Sequence, residues 1–337
     1  MLLKELSNAN GTSGFEDEVR NLIKSRLSTY RTDAMGNLIT SEEGKGLKVM
    51  LAAHMDEVGL IVSGIDDDGY LLFKKVGGID DRVLMAKRVV IGENRIEGVI
   101  GAKPIHLLKE EEKKKTVEYD KLYIDIGAES KKDAEEAVGI GDPVYFATEF
   151  KENGHCFIGK ALDDRVGCSI LLDMLKKDFS FSLYGAFTVQ EEVGLRGAQV
   201  VAYDIDPDIC IVLEGTFASD TPDIKEELQT PKFGEGPAIT VADRSVICDP
   251  KLVNFFRDTA EKNDIPYQVK RPFTGGTDAG AIHLTKEGVP SGVIALPSRY
   301  IHSPVSMGNK EDYKNMKELV YKILERIESE KGDFYGH

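Results

Sequence analysis

Two kinds of apolar pattern run along this chain. Continuous apolar runs at 48–53, 182–189, 209–213 and 289–296 read as strands buried on both faces, the signature of a parallel sheet. Other stretches keep apolar residues at helical spacing. Phe15, Val19, Leu22, Ile23 and Leu27 predict a helix over about 15–30. Ser13-Gly14-Phe15-Glu16 has the form of a capping box at its start. Further helices are predicted near 166–177 and 197–202, over 250–262 with Pro250 in the first turn, and over 312–330. In the last of these Met316, Val320, Ile323, Leu324 and Ile327 line one face. Strands alternating with helices predict an α/β domain.

Between about 64 and 157 the pattern changes. Apolar pieces become short and β-rich, at 70–76, 88–91, 99–100, 122–126 and 143–146, with Gly-rich turns between them. This predicts a small β-barrel or sandwich inserted into the α/β domain, which is then formed by 1–63 and 158–337. The charged run 109–115 reads as an exposed, mobile loop. His106 and His155, in or beside the insert, read as structural.

Composition narrows the function. Of 337 residues, 43 are Lys or Arg and 58 Asp or Glu, a formal net charge of −15. A polyanion would be repelled, so no nucleic acid partner is expected. The four cysteines, Cys156, Cys168, Cys210 and Cys248, form no C-x-x-C pair, which fits a reducing cytoplasm. No apolar run approaches the ~18 residues of a bilayer span, and the N-terminus lacks the apolar core of a signal peptide. The expectation is a soluble, cytoplasmic protein with no membrane partner.

Candidate chemistry lies at the ends of the apolar runs, where α/β sheets bind ligands. The run at 182–189 leads into Glu191-Glu192-Val193-Gly194. Adjacent carboxylates at a buried strand end need a compensating cation, either Arg196 at the loop surface or a metal ion. The run at 48–53 delivers His54-Met55-Asp56, in which the acid can orient the ring. Asp163-Asp164-Arg165 precedes a helix, either as a dipole-complementing cluster or as the source of a bridging carboxylate. Glu214 and His302 follow two further strands. His54, Asp163, Glu191, Glu192, Glu214 and His302 form the kind of set a dinuclear metal centre requires. Thr277 and Asp278, in a Gly-rich loop lacking the Lys-Ser/Thr of a phosphate loop, and Arg299 either line a substrate site or form a turn with a structural salt bridge.

The order His54-Met55-Asp56, Ala161-Leu162-Asp163-Asp164-Arg165, Glu191-Glu192-Val193-Gly194, Glu214 and Ile301-His302-Ser303 resembles the dinuclear zinc/cobalt aminopeptidases of the glutamyl/deblocking (tetrahedral, TET) family. The resemblance also covers Thr12-Ser13-Gly14-Phe15-Glu16, Met35-Gly36-Asn37, Val76-Gly77-Gly78-Ile79-Asp80, Lys103-Pro104-Ile105-His106 and Gly275-Gly276-Thr277-Asp278. It implies a mixed-sheet α/β/α zinc-peptidase catalytic domain with an inserted β-barrel that makes dimer contacts. Dimers would assemble into a tetrahedral dodecamer that admits peptides. Two divalent ions per subunit, zinc or cobalt with manganese as a further option, are implied. Asp163 would bridge them, His54 and Glu214 would complete one set, and Glu192 and His302 the other. Glu191 would be the general base and Asp56 would orient His54. Position 214 departs from many related zinc peptidases, which carry Asp there; the longer arm of Glu bears on metal preference.

Aminopeptidase action on peptides with a free N-terminal amine is the leading expectation. A related zinc hydrolase, an N-acyl amino acid deacylase or carboxypeptidase, is the first alternative. Those relatives usually carry their extra domain after the central acids, whereas the insert here precedes Asp163. A glycosidase, which also needs two carboxylates, would leave both histidines without a role.

Overall fold

The computed structural model describes residues 1–42, 44–271 and 274–330. In chain order the helices are α1 (Leu2–Asn8), α2 (Asp17–Lys24), α3 (Lys131–Ala137), α4 (Leu162–Met174), α5 (Arg196–Ile205), α6 (Pro250–Lys262), α7 (Ala279–Ile282) and α8 (Lys310–Ser329). The first strands are β1 (Arg31–Thr32), β2 (Leu38–Glu42) and β3 (Lys48–His54). Six strands of a second body follow: β4 (Gly59–Ile65), β5 (Leu71–Val76), β6 (Arg88–Ile91), β7 (Ile96–Gly101), β8 (Tyr123–Asp125) and β9 (Pro143–Phe146). The remainder are β10 (Lys151–Asn153), β11 (Cys156–Gly159), β12 (Ser182–Thr188), β13 (Ile209–Phe217), β14 (Ala238–Thr240), β15 (Gln268–Val269), β16 (Ser291–Arg299) and β17 (Ser306–Asn309).

The sheet is mixed. Its main path runs β1-β2-β12-β3-β13-β16-β17-β11-β10, with β14 and β15 branching from β16. At its centre β12, β3, β13 and β16 are mutually parallel, and the pairings outside them are antiparallel except that of β14 with β15. In β3 every residue from Val49 to His54 is buried, as a strand covered on both faces requires. Helices α1, α4, α6 and α8 pack in one group, and α5 and α7 in another against β12, β13 and β16. The result is the expected α/β/α layering.

The second body is a closed antiparallel barrel in the order β4-β5-β8-β7-β6-β9. Burial in β5 alternates, Leu71 and Phe73 inward against exposed Leu72 and Lys74, as a barrel wall demands. Leu60, Val62, Phe73, Val89, Ile91, Ile100, Ile124, Val144 and Phe146 fill an interior separate from the main core. The barrel strands begin at Gly59, and the β10–β11 hairpin pairs through β17 into the large sheet.

Local expectations and structure differ at the N-terminus. Helix α2 starts at Asp17 and ends at Lys24, with no side-chain cap. Ser13 gives its hydroxyl to Asp56 Oδ2 instead, and Glu16 accepts the amide of Gly14. The capping box is therefore broken by demands made elsewhere in the fold. Helices α1 and α3, seven residues each, are too short to show a clear helical period. The turn at 33–37 forms as its composition predicts, with Asp33 Oδ1 accepting the amides of Met35, Gly36 and Asn37. The run 109–115 is exposed.

Candidate active site

The four parallel strands share one direction, so their carboxyl ends share one edge. That edge receives His54 from β3, Glu191 and Glu192 from the loop after β12, Glu214 from β13 and His302 from the loop after β16. Asp163 enters at the start of α4, with Gly215 passing close beside it. A Cβ at Gly215 would meet Asp163 Oδ1 at 2.8 Å, so the glycine lets the carboxylate approach the strand.

Asp163 stands between the two imidazoles. Its Oδ1 is 3.4 Å from His54 Nε2 and its Oδ2 is 3.4 Å from His302 Nε2. His54 Nε2 is also 3.4 Å from Glu214 Oε1, and His302 Nε2 is 3.5 Å from Glu192 Oε2. Each ring is fixed through its other nitrogen. Nδ1 of His54 faces the Asp56 carbonyl at 3.1 Å, and Nδ1 of His302 faces the Gly78 carbonyl at 3.1 Å. A carbonyl accepts only, so Nδ1 carries the proton and Nε2 is turned toward the carboxylates. Ligand atoms about 2.0–2.2 Å from a tetrahedral ion stand about 3.3–3.6 Å from one another. The separations match that spacing better than direct hydrogen bonds.

The cluster is short of positive charge. Burial pushes Glu192 up to about 7 and Glu214 up to about 8, with Asp163 adding repulsion to both. Burial also raises Glu191 and Asp164 well above the ordinary carboxylate range. Asp163 is held well below it, because its burial is outweighed by the His302 and His54 imidazoles that face its two oxygens. Facing Asp163 and Glu192, His302 is raised to about 9 despite its burial. Glu214 Oε2 and Asp164 Oδ2 are buried with no hydrogen-bond partner among the described residues. Uncompensated carboxylates of this kind fit divalent cations.

The cluster opens into a cleft of about 350 Å³. Leu195, Phe217 and Ile301 supply apolar wall, while Thr277 and Lys270 supply polar groups. Asp278 is buried and accepts a hydrogen bond from Thr188 Oγ1, and its Oδ1 has no hydrogen-bond partner among the described residues. Burial raises it to about 6. Arg299 is committed to Asp220, with its guanidinium 4.6 Å from the Phe233 ring centroid, and is not among the residues lining the cleft. Arg196 pairs with Gln190 rather than with the Glu pair. Lys270 and Phe217 escaped the sequence reading, because nothing local marks them. A larger cleft of about 520 Å³ lies between α2 and the barrel, but it contains no histidine and Glu18 there is paired with Arg95.

A mixed sheet between two helix layers, with parallel strands that deliver histidines and carboxylates to one edge, defines an α/β protein whose clustered side chains could hold a metal ion. Residues 36–319 match the family model described as M42 glutamyl aminopeptidase. A putative aminopeptidase of Acetivibrio thermocellus is 42% identical, covering 96% of this chain and 97% of its own. The lysyl aminopeptidase of Pyrococcus furiosus is 34% identical, covering 97% and 96%. Among solved structures, a TET aminopeptidase from the marine sediment archaeon Thaumarchaeota archaeon SCGC AB-539-E09 superposes with a TM-score of 0.94 at 39% identity, over 99% of this chain and 98% of its own. The TET1 peptidase of Pyrococcus horikoshii, described as able to assemble into a tetrahedron or a large octahedral shell, superposes at 0.85 with 36% identity over 96% and 98%. A Thermotoga maritima structure called an endoglucanase superposes at 0.80 with 38% identity over 97% and 99%. The chain belongs to the M42 glutamyl aminopeptidase family. It is an aminopeptidase, a hydrolase of peptide bonds in a metal-dependent family.

Proposed function

We propose that the cleft hydrolyses the N-terminal peptide bond of peptides with two divalent cations bound, and that Glu191 carries the proton. The observation behind this reading is the division of Asp163 between two imidazoles, one carboxylate oxygen to each. His54 and Glu214 with Asp163 Oδ1 would hold one ion, and His302 and Glu192 with Asp163 Oδ2 the other. The donors are nitrogen and oxygen with no thiolate, since Cys168 gives its S–H to the His54 carbonyl. That set suits zinc, cobalt or manganese. When bound, such ions supply Lewis acidity toward a carbonyl oxygen and acidify water.

Glu191 belongs to neither set, yet its carboxylate reaches to 4.0 Å from His54 Nε2. Its raised pKa, caused first by burial, suits a group that takes a proton from attacking water and returns it to the leaving amine. Asp56 holds the His54 ring and the loop that bears Glu191. The carboxylates favour a free ammonium at the peptide terminus, and Thr277 lines the path beside it. Deacylase or carboxypeptidase action would need a different end of the substrate seated here. A glycosidase would leave His54 and His302 idle.

Glu191→Gln tests the assignment. The variant should keep two divalent ions per chain by elemental analysis and lose about 10²–10⁴ in kcat on a free-amine peptide. Full turnover in that variant would remove Glu191 from the chemistry.

The barrel is proposed as the dimer contact of a tetrahedral dodecamer. The assemblies described for TET relatives support this, as do exposed Ile105, Leu107 and Ile140 in that body. Light scattering should return twelve chains per particle, and a monomer would dismiss the proposal. A cytoplasmic location is proposed on two grounds: all four cysteines are free, and no helix among the described residues is long and apolar enough to cross a membrane.

A further inference from the structure

The loop that carries Glu191 is built without a sheet partner. Strand β12 ends at Thr188, and the next four backbone amides are each taken by a side-chain oxygen from the N-terminal quarter of the chain. Val189 N donates to Asn37 Oδ1 at 3.0 Å, and Gln190 N to Glu16 Oε1 at 3.2 Å. Glu191 N donates to Asp56 Oδ1 at 3.0 Å, and Glu192 N to Asp56 Oδ2 at 3.1 Å. Buried amides need partners, so these oxygens dictate the path of the loop.

Gln190 is the least comfortable residue in the run. Its φ of 56° is left-handed, a conformation that a non-glycine side chain adopts only when its surroundings impose it. Glu16 is what holds that residue. Its Oε1 also accepts the amide of Gly14 at 2.7 Å, and Arg20 Nη2 lies 3.7 Å from its Oε2. Arg20 in turn donates from Nε to the Gly36 carbonyl at 2.7 Å, next to Asn37. Asn37 Nδ2 reaches the Gly197 carbonyl at 3.0 Å, beyond the far end of the same loop. Ser13 completes the set by donating to Asp56 Oδ2 at 2.6 Å. Glu16 is only 2% exposed.

We propose that Glu16, backed by Arg20, is a positioning residue that clamps the Gln190 amide and so aims the Glu191 carboxylate. The inference rests on the reading of Glu191 as the proton carrier. Among the described residues Glu16 makes no hydrogen bond to a candidate metal ligand, and it does not line the cleft. Its loss should therefore reach turnover through misplacement of Glu191, not through metal loss or substrate affinity.

The test compares Glu16→Ala, Glu16→Gln and Glu191→Gln on one free-amine peptide, with metal content and melting temperature measured for each. Glu16→Ala should lower kcat about 10- to 100-fold, with KM within about twofold of the parent and both ions retained. Glu16→Gln keeps an acceptor at Oε1 and should recover most of that loss. Wild-type kcat in a folded, metal-loaded Glu16→Ala protein overturns the clamp. So does a kcat loss matched by lost metal or lost folded fraction. If Glu16→Ala does not fold, Arg20→Ala, which removes the cation beside Glu16, decides: a several-fold fall in kcat at unchanged KM with both ions retained supports the clamp, and an unchanged kcat overturns it. Full activity in Glu191→Gln would instead sink the underlying reading, whereas an inactive Glu191→Gln beside a normal Glu16→Ala sinks the clamp alone.

Discussion

Asp56 Oδ1 accepts the backbone amide of Glu191 at 3.0 Å and lies 3.4 Å from Nδ1 of His54. One fully buried carboxylate thus fixes an imidazole of the proposed metal set and the backbone of the proposed proton carrier. Hydrogen bonds and the charge of His54 lower its pKa against the opposing effect of burial. Both of its oxygens are fully used, since Oδ2 accepts from Ser13 Oγ and from the Glu192 amide.

Asp56→Asn should be disabling although it preserves shape. An amide has one acceptor oxygen, so its NH₂ would face either a backbone N–H or the His54 ring. A fall of about 10- to 100-fold in metal affinity or turnover is expected. Kinetics across a metal titration would show it, and parent-like constants would exclude the coupling.

Metal binding should release protons. Near neutral pH in the metal-free chain, Glu192 at about 7, Glu214 at about 8 and His302 at about 9 each hold a proton for part or most of the time. Ions must displace these protons, so affinity should rise from about pH 6 to pH 8. Calorimetry in buffers of different ionisation enthalpy would count the protons; a buffer-independent heat would contradict this.

The same groups set the stability of the metal-free chain. All three have folded pKa values above their ordinary values of 4.5, 4.5 and 6.5, so the folded state binds protons more tightly. The carboxyl contributions are fully present below the unfolded pKa and are lost as pH rises through about 7 and 8. The His302 contribution is full below about 6.5 and is lost through about 9. Metal-free protein should therefore melt lower at pH 8 than at pH 5, and added metal should reverse that loss. A melting temperature that rises over this range without metal would refute it.

Glu57 should matter for stability. Its Oε1 accepts from Gly11 N at 3.0 Å, from Lys160 Nζ, and from Arg165 Nη2 at 3.4 Å, all in the interior. Burial lowers the pKa of Lys160, and Arg165 Nε and Nη1 have no hydrogen-bond partner among the described residues. Glu57→Gln keeps the shape but leaves two buried cations unneutralised, at a cost of about 3–5 kcal/mol. Urea unfolding of parent and variant would measure it, and a difference below about 1 kcal/mol would discount the cluster.

Much of this architecture is legible in the chain because its signals are local. Strands buried on both faces must be continuously apolar, which made β3, β12, β13 and β16 visible and put His54, Glu191, Glu192, Glu214 and His302 at their ends. The helix over Pro250–Lys262 matches its expectation because Asp249 caps it and Pro250 starts it. Short, β-rich apolar pieces between Gly-rich turns announced the β body in the same way.

Tertiary structure decided the partnerships. Ser13 and Glu16 carry a capping pattern, yet Ser13 serves Asp56 and Glu16 serves Gln190, 174 positions along the chain. Arg299 had two possible employments, and the fold gave it to Asp220. Lys160 meets Glu57 across 103 positions and Asn37 meets Gly197 across 160, distances at which no local pattern carries information. Periodicity follows from burial of one residue's own neighbours, so the sequence shows it directly. Which buried donor finds which buried acceptor depends on how separate segments close against one another, and only the folded chain resolves that choice.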